Sequence, residues 1–342
     1  MSLSTPTASD APPRTPHTVS LAVVVVAIVL TAGLAVGITG AYFVLDKPTS
    51  SAPGSVHVTD DLGRSVTVPN DPSRVVVLGP SIIDSMFRLG LRSHVVGVDC
   101  YAAAFGGLTE DYSSDQISLW NLSQSMCVQV GPTFAIEDLL NLTPQLVLAA
   151  TIVSTSAVEQ ISTQYGIPVV MLQPPTLSGV QVDLSILGEI FGVQTAVNAL
   201  NSQLSAELYN ATEIVANVSS FPTVLVTYDA DTNGYWSYGP GTFGQSLIEF
   251  AGASSIAANA TFAYPELSPE QVISGDPQLI IYGTGYGLNL SYYQAGPLWS
   301  SIPAVQAGNI TGMNSNWLTE PDPTMILVGL PALIAIFHPG ST

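Results

Sequence analysis

Aromatic side chains are the groups in this sequence best suited to bind a ligand. Tyr228, Trp236 and Tyr238 fall in or beside a Gly-rich, polar segment that follows a predicted strand. Tyr101 follows an earlier strand, and Trp317 follows a later one. In αβ proteins ligands bind outside the carboxyl ends of strands, in clefts with aromatic walls. We therefore predict that these residues bind a ligand; ordinary packing of amphipathic rings at the bases of loops is the alternative.

Motifs that would support catalysis are weak or absent. The glycines at residues 283–287 are similar to part of a dinucleotide-binding loop, but the sixth position of that motif is Leu288 and no helical pattern follows. The sequence has no G-x-S-x-G, P-loop or H-E-x-x-H motif, and its 4 His lack the spacing of a metal site. We predict no catalytic residue, no resident metal and no cofactor.

Two glutamates occupy equivalent places in similar segments. Glu137 lies in AIEDLLNLTPQLVLA and Glu270 in SPEQVISGDPQLIIY. Each begins a short predicted helix that is followed by proline and a buried strand, which indicates that the two halves of the chain are pseudo-repeats. Because an acidic residue in the first turn of a helix favours the N-terminal dipole, helix stabilisation is the simplest role for both.

Positive charge is scarce along the whole chain. There are 6 Lys and Arg against 25 Asp and Glu, for a formal net charge of −19. The last cationic residue is Arg92, which argues against nucleic acid as a partner because phosphate binding requires Lys or Arg. An acidic external medium would account for this composition. Carboxylates are protonated in acid, so Lys and Arg would leave the protein with a surplus of positive charge there. Compositional drift is the alternative.

The N-terminal region contains an apolar run at residues 21–45 that is long enough to cross a bilayer. We predict a cytoplasmic tail at residues 1–18, a transmembrane anchor at 19–45 and a linker at 46–55. Cleavage near Ala41 is the alternative. No Cys directly follows the run, so a lipid anchor on a processed Cys is not available.

Sequons place the rest of the chain outside the cytoplasm. The seven N-x-S/T sequons begin at Asn121, Asn141, Asn210, Asn217, Asn259, Asn289 and Asn309. In an oxidising compartment Cys100 and Cys127 are expected to form a disulfide, with two buried thiols as the alternative. We predict a glycosylated, single-pass cell-membrane protein of archaeal origin with an extracellular binding domain.

Short helical patterns alternate with buried apolar strands in both halves of the chain. Residues 56–69 have the pattern of a β-hairpin and residues 74–78 that of a buried strand. Ser81 is the expected cap of the helix that follows. Such alternation predicts mostly parallel sheets covered on both faces.

The predicted fold class is α/β, with two lobes and an N-terminal transmembrane helix. The first lobe covers residues 56–179 and the second covers 220–342. Leucine spacing predicts a long rigid helix between them at 180–219, interrupted near Gly192.

Four segments occur in an order that is typical of one protein family. They are VTDDLGRSVTVPNDPSRVVVLGPSIIDSMFRLGL, VVGVD, YPELSPEQVISGDPQLII and PLWSSIPAVQAGNITGMNSNW. In this order they resemble the substrate-binding proteins of ABC importers for cobalamin, haem and ferric siderophores, from about Val56 to Pro339. The resemblance implies two αβ lobes bridged by one rigid helix, with the ligand cleft between them. It also implies that Glu137 and Glu270 dock into Arg pockets on the permease dimer.

The resemblance also bears on the ligand. Members that bind strongly anionic ferric chelates often place Arg in the cleft, whereas here only Arg74, Arg88 and Arg92 of the first lobe could serve. A neutral ligand is therefore implied, either a corrinoid or a neutral hydroxamate-type iron chelate. Trp236 and Trp317 match positions near the family's cleft.

These inferences predict a protein that captures a metal chelate, a ferric siderophore or cobalamin, and delivers it to an ABC permease dimer with its ATPase subunits. It performs no chemistry. One alternative is a cell-surface structural or adhesive protein that retains the fold without a transport ligand. The other is an oxidoreductase of the chelatase or nitrogenase-like type, which the lack of a Cys or His cluster disfavours.

Overall fold

The computed structural model describes residues 54–100, 126–130, 134–284 and 288–341. The predicted tail and anchor, residues 1–45, lie outside these ranges, as do Tyr101 and Asn121. Among the described residues, no helix combines the length and the apolar character needed to cross a bilayer.

The described chain begins with the predicted β-hairpin. Strands β1 (Ser55–Thr59) and β2 (Ser65–Pro69) pair antiparallel, so that Val58 and Val68 are buried. The Asp60 carboxylate closes the turn, because its Oδ1 accepts hydrogen bonds from the backbone N–H groups of Leu62 and Arg64. The predicted β-hairpin at residues 56–69 is therefore confirmed.

The first lobe contains a parallel sheet of five strands in the order β5-β4-β3-β6-β7. The core strands are short apolar runs buried on both faces, as expected when helices cover both sides. The strands are β3 (Val75–Leu78), β4 (Val95–Asp99), β5 (Cys127–Val128), β6 (Leu146–Ala149) and β7 (Val169–Met171). The helices are α1 (Pro80–Arg88), α2 (Ile136–Asn141) and α3 (Thr155–Glu159).

The segment between the lobes is two helices rather than the single long helix of the prediction. Helix α4 (Leu177–Phe191) begins where the Thr176 hydroxyl accepts a hydrogen bond from the Gly179 N–H. It ends at Gly192, whose φ of 68° is left-handed and stops the helix. Helix α5 (Gln194–Ala216) follows at once, so the predicted interruption near Gly192 is confirmed.

The second lobe contains a six-stranded mixed sheet built around β8. Strands β8, β12 and β13 are parallel neighbours, whereas β9 and β11 extend the sheet antiparallel. The strands are β8 (Thr223–Ala230), β9 (Tyr235–Ser237), β10 (Ser254–Ser255), β11 (Glu266–Leu267), β12 (Leu279–Thr284) and β13 (Ile310–Asn314). The helices are α6 (Phe243–Phe250), α7 (Pro269–Gly275), α8 (Leu290–Gln294), α9 (Pro303–Gln306), α10 (Asn316–Thr319) and α11 (Leu330–Phe337).

One hydrophobic core is shared by both lobes. A continuous cluster of buried side chains runs from β3 and α1 through α4 and α5 to β8 and α11. Separate apolar clusters fill the outer face of each sheet. The predicted class, α/β with mostly parallel sheets in two lobes, is therefore confirmed.

Candidate ligand-binding site

A cavity of about 360 Å³ opens at the carboxyl ends of β8, β12 and β13. This is the edge at which ligands bind in parallel sheets. Its lining combines two carboxylates, two phenols and several neutral polar groups: Tyr228, Asp229, Leu288, Tyr292, Ser315, Asn316, Thr319 and Glu320.

A larger groove of about 770 Å³ lies elsewhere in the second lobe, at the end of α5 against residues 337–341. Its walls include Pro222 and Gln278, which precede β8 and β12. The groove is therefore at the amino ends of the strands. We take the smaller cavity as the candidate site because it lies at the carboxyl ends of the strands.

Tyrosine rings form one wall of the cavity. The Tyr228 ring packs 4.9 Å from that of Tyr238 and 6.2 Å, edge-on, from that of Tyr264. Burial raises the pKa of Tyr228 to about 12, so its phenol is neutral. Tyr264 is 50% exposed and Phe262 is 71% exposed. The Tyr264 ring forms an apolar rim beside Tyr228, and the exposed Phe262 lies two residues earlier in the same segment.

The backbone of this rim is held rigidly. Backbone N–H groups of Ser237 and Gly239 donate to the carbonyls of Pro265 and Ala263, at 3.0 and 2.7 Å. Gly239 has no room for a side chain, because a Cβ there would lie 2.3 Å from the Phe262 carbonyl oxygen. The exposed rings therefore project from a fixed segment, which reduces the ordering cost of binding.

The Asp229 carboxylate is oriented by its neighbours. Its Oδ1 accepts hydrogen bonds from the Tyr292 hydroxyl at 2.5 Å and from the Ala230 N–H at 2.8 Å. Among the described residues, nothing donates to its Oδ2. The pKa of Tyr292 is raised mainly by its hydrogen bond to Asp229. The arrangement leaves one carboxylate oxygen to accept a hydrogen bond from a ligand.

One residue that lines the cavity also contacts the first lobe. The Glu320 Oε2 accepts a hydrogen bond of 3.2 Å from the backbone N–H of Ser81, in the first turn of α1. Ser81 was expected to cap this helix, but Gly79 is the N-cap and Pro80 follows it. The side chain that reaches the first turn of α1 therefore comes from the other lobe.

Arginine does not line the cavity in the part of the chain that the structure describes. Each of the four arginines there bonds to groups elsewhere. The contacts are Arg64 with Asp60 and the Val169 carbonyl, Arg74 with the carbonyls of Leu142 and Thr143, Arg88 with Asp84 and Thr324, and Arg92 with the Val95 carbonyl. No group of three or more His, Cys, Asp or Glu that could hold a metal occurs among the described residues.

Of the four predicted ligand-binding aromatics that the structure describes, Tyr228 lines the cavity. Tyr238 is 2% exposed, and its hydroxyl lies 2.7 Å from the Thr319 Oγ1. It supports Tyr228 from behind. Trp236 lies on β9, between β8 and β11, with its side chain hydrogen-bonded to Asp231. Trp317 packs over Gly329 against the main core.

Three residues at the site were not predicted: Asp229, Tyr264 and Glu320. Asp229 directly follows Tyr228 at the end of a strand, which is a usable signal. Tyr264 belongs to the FAYP segment that precedes the second glutamate motif. Glu320 has no local signal, because its partner is 239 residues away.

The remaining predicted sites lie at the surface or in a cross-link. Glu137 and Glu270 are both exposed in the first turn of α2 and α7. Cys100 and Cys127 form a disulfide with their Cα atoms 4.6 Å apart. The sequon asparagines within the described residues are all exposed: Asn141, Asn210, Asn217, Asn259, Asn289 and Asn309.

Residues 75–316 match the family model described as "Periplasmic binding protein". The chain belongs to this family. The predicted resemblance to substrate-binding proteins of ABC importers is thereby confirmed. The chain is 29% identical over 276 residues to the "Cobalamin-binding protein" of Halobacterium salinarum, covering 78% of this chain and 70% of that protein.

Solved structures of the family share the fold. The heme-binding protein RhuT of Roseiflexus sp. RS-1 is 23% identical, with a TM-score of 0.64 over 79% of this chain and 99% of that one. The molybdate-binding protein MolA of Haemophilus influenzae is 21% identical, with a TM-score of 0.69 over 84% and 92%. Because these proteins bind different ligands, the fold alone does not choose one.

Proposed function

We propose that this periplasmic-binding-protein family member captures a cobalt corrinoid of the cobalamin class outside the cytoplasm and delivers it to an ABC permease. The supporting observation is the chemistry of the cavity: two carboxylates and a tyrosine wall, without arginine among its described lining residues. A corrinoid is broad and flat, carries several primary amides and has no carboxylate.

The fit is one of complementary hydrogen bonding. Amide N–H groups donate to carboxylates such as Asp229 and Glu320, and the corrin face packs against rings such as Tyr264 and Phe262. An oxyanion, or haem with its two propionates, would meet like charge without a compensating cation. The cavity is smaller than a whole corrinoid, so it receives one edge and the rest lies between the lobes.

Delivery rests on the two exposed glutamates. Glu137 and Glu270 each lie at the start of a short helix, on separate lobes. Two carboxylates a lobe apart would fix the orientation of the protein on a permease through charge-assisted pairs with arginine. We place the protein at the cell membrane, anchored by residues 19–45 with its glycosylated domain outside.

Calorimetric titration of the purified full chain tests this proposal. It compares the affinities of ligands that differ in charge. Cyanocobalamin is expected to bind with a Kd of about 1 µM or lower, corresponding to about −8 kcal/mol. Molybdate and haemin are expected to bind at least about 100-fold more weakly. Binding of the neutral hydroxamate chelate ferrioxamine in place of cyanocobalamin would reassign the ligand. Failure of every chelate would favour the structural or adhesive alternative.

A further inference from the structure

The groove of about 770 Å³ at the end of α5 has a glycosylation sequon in its own wall. Asn217, which directly follows α5, and Ser219 both line the groove, and they are the Asn and the Ser of one N-x-S sequon. Of the six sequon asparagines that the structure describes, Asn217 is the one that lines this groove. A sugar attached there would therefore begin inside the groove.

The Asn217 amide is held in a fixed direction at this wall. Its Nδ2 donates a hydrogen bond of 2.7 Å to the Glu213 carbonyl, one turn back in α5. An asparagine amide nitrogen carries two hydrogens, and attachment of a sugar replaces one of them, so one donor is retained. Asn217 is exposed and therefore accessible to modification.

Other parts of the groove are equally well fixed. In the segment 337–341, the buried His338 accepts hydrogen bonds at its carbonyl from the Ser341 N–H and hydroxyl, at 3.1 and 2.6 Å. Gln278 is tied to Thr223 at the start of β8, because its N–H donates to the Thr223 carbonyl and its Oε1 accepts from the Thr223 N–H, at 2.7 and 2.9 Å. A preformed lining of this kind loses little conformational freedom when it binds an occupant.

The lining has the chemistry that neutral sugars require. Sugars present hydroxyl groups for hydrogen bonding and C–H faces for apolar contact. No Lys or Arg follows Arg92 in the sequence, so the groove has no fixed cation for an anionic group, and Glu213 adds negative charge. The polar and apolar groups that lie together in the lining include Ser220, Gln278, Ser341, Ile214, Phe337 and Pro339.

Attachment at the wall makes even weak contacts effective. A group tethered by a short flexible link experiences an effective concentration on the order of millimolar. Sugars with a Kd in the millimolar range would therefore occupy the groove for much of the time. A free sugar of the same affinity would have to reach that concentration in solution.

We propose that this groove binds the neutral sugars nearest to the protein in an N-linked glycan on Asn217. The bound sugars cover the end of α5 and residues 337–341. They also shield the Phe221 ring, which is 53% exposed and lies 6.2 Å from the His338 ring. The inference rests on one part of the proposed function, the placement of a glycosylated domain outside the cytoplasm, and is independent of the transported ligand.

Sequon variants of the full chain, purified from its native host, test the proposal. Mass spectrometry of glycopeptides is expected to find a glycan on Asn217. Ser219→Ala removes the sequon but keeps Asn217 and its bond to Glu213, whereas Ser219→Thr keeps the sequon and is the matched control. Thr212→Ala removes the sequon of Asn210, which lies about two turns earlier on α5 and does not line the groove.

Hydrogen exchange of the segment 337–341 reports whether the sugars occupy the groove. Ser219→Ala is expected to raise exchange at least about threefold, because a tethered group at a few times its Kd slows local opening by about that factor. Ser219→Thr and Thr212→Ala should stay within about twofold of the wild type. Equal exchange in folded Ser219→Ala and Ser219→Thr overturns the proposal, as does an unmodified Asn217 in a protein glycosylated elsewhere. Protection that depends on protein concentration instead of the glycan would assign the groove to a second copy and also overturn it.

The outcome can be separated from that of the proposed function. If calorimetry shows that cyanocobalamin does not bind, the proposed ligand fails, while the exchange comparison still decides whether the groove binds the glycan. If no sequon carries a glycan, this inference fails together with the proposed glycosylation.

Discussion

Asp61 in the hairpin turn and Asp183 in α4 form a hydrogen-bonded pair of carboxyl groups. Asp61 is also tied to the end of β7, because it accepts a hydrogen bond of 2.5 Å from the Gln173 N–H. Burial, together with the charge of Asp61, raises the pKa of Asp183 to about 9. The pair therefore shares a proton and joins the hairpin to the helix between the lobes.

This pair predicts that stability declines as pH rises. Asp183 keeps its proton up to a pKa of about 9 in the folded protein but loses it near 3.8 when unfolded. Because the folded state binds the extra proton between these values, the free energy of unfolding should fall from about pH 4 to about pH 9. The slope for one proton is at most about 1.4 kcal/mol per pH unit. Urea denaturation across this range measures it.

Asp183→Asn removes the titrating group but keeps a hydrogen-bond donor for Asp61. We expect this variant to flatten the pH dependence and to be more stable than the wild type at pH 8. Asp276→Asn is the matched control, since Asp276 is exposed and its left-handed φ of 44° suits asparagine. Equal slopes in the wild type and Asp183→Asn would show that the shared proton is not the cause.

The aromatic rim predicts a selective loss of ligand affinity. Tyr264→Ala is expected to weaken cyanocobalamin binding about 5- to 30-fold, or about 1–2 kcal/mol, because it removes a preorganised ring. Tyr209→Ala removes a tyrosine that is 65% exposed on α5, away from the cavity, and should bind normally. Calorimetry of the two variants decides; equal affinities would remove the rim from the site.

The sequence left two roles open for Trp236, ligand contact and ordinary packing, and the structure favours packing. Trp236→Ala should leave affinity within about twofold of the wild type, because Trp236 is directed to Asp231 and does not line the cavity. A loss as large as that of Tyr264→Ala would instead support the original prediction that Trp236 contacts the ligand.

If Glu137 and Glu270 dock onto the permease, changing them should impair transport of the ligand without weakening its binding to this protein. Charge reversal at both Glu137 and Glu270 should reduce uptake of cobalamin by cells at least about tenfold, while calorimetric affinity stays unchanged. Asp138→Lys tests helix stabilisation as the alternative, since Asp138 shares the first turn of α2 with Glu137 and is equally exposed. If Asp138→Lys impairs uptake as strongly as Glu137→Lys, specific docking is wrong.

Most of the fold could be predicted because its signals are local. Apolar β-branched runs such as 75–78 can be buried on both faces of a parallel sheet, and Gly192 supplies the left-handed turn between α4 and α5. Ser81 was predicted wrongly as a cap. Pro80 at the first helical position makes Gly79 the N-cap, and the partner of the Ser81 N–H is far away in the sequence.

The candidate site was less predictable because it depends on the direction in which each side chain points. Tyr228, Trp236 and Tyr238 share one sequence neighbourhood, yet their positions differ. Tyr228 lines the cavity, Trp236 lies on β9 outside the cavity lining, and Tyr238 is buried in the core. Composition identified the aromatic character of the site, whereas tertiary packing determined which ring faces the ligand.

The most direct measurement is a crystal structure of the full chain with cyanocobalamin, in which anomalous scattering at the cobalt edge locates the metal. The account predicts a cobalt peak over the mouth of the cavity lined by Tyr228, Asp229 and Glu320, with the corrin against Tyr264. Cobalt at the groove beyond α5, or no bound corrinoid at saturating concentration, would contradict it.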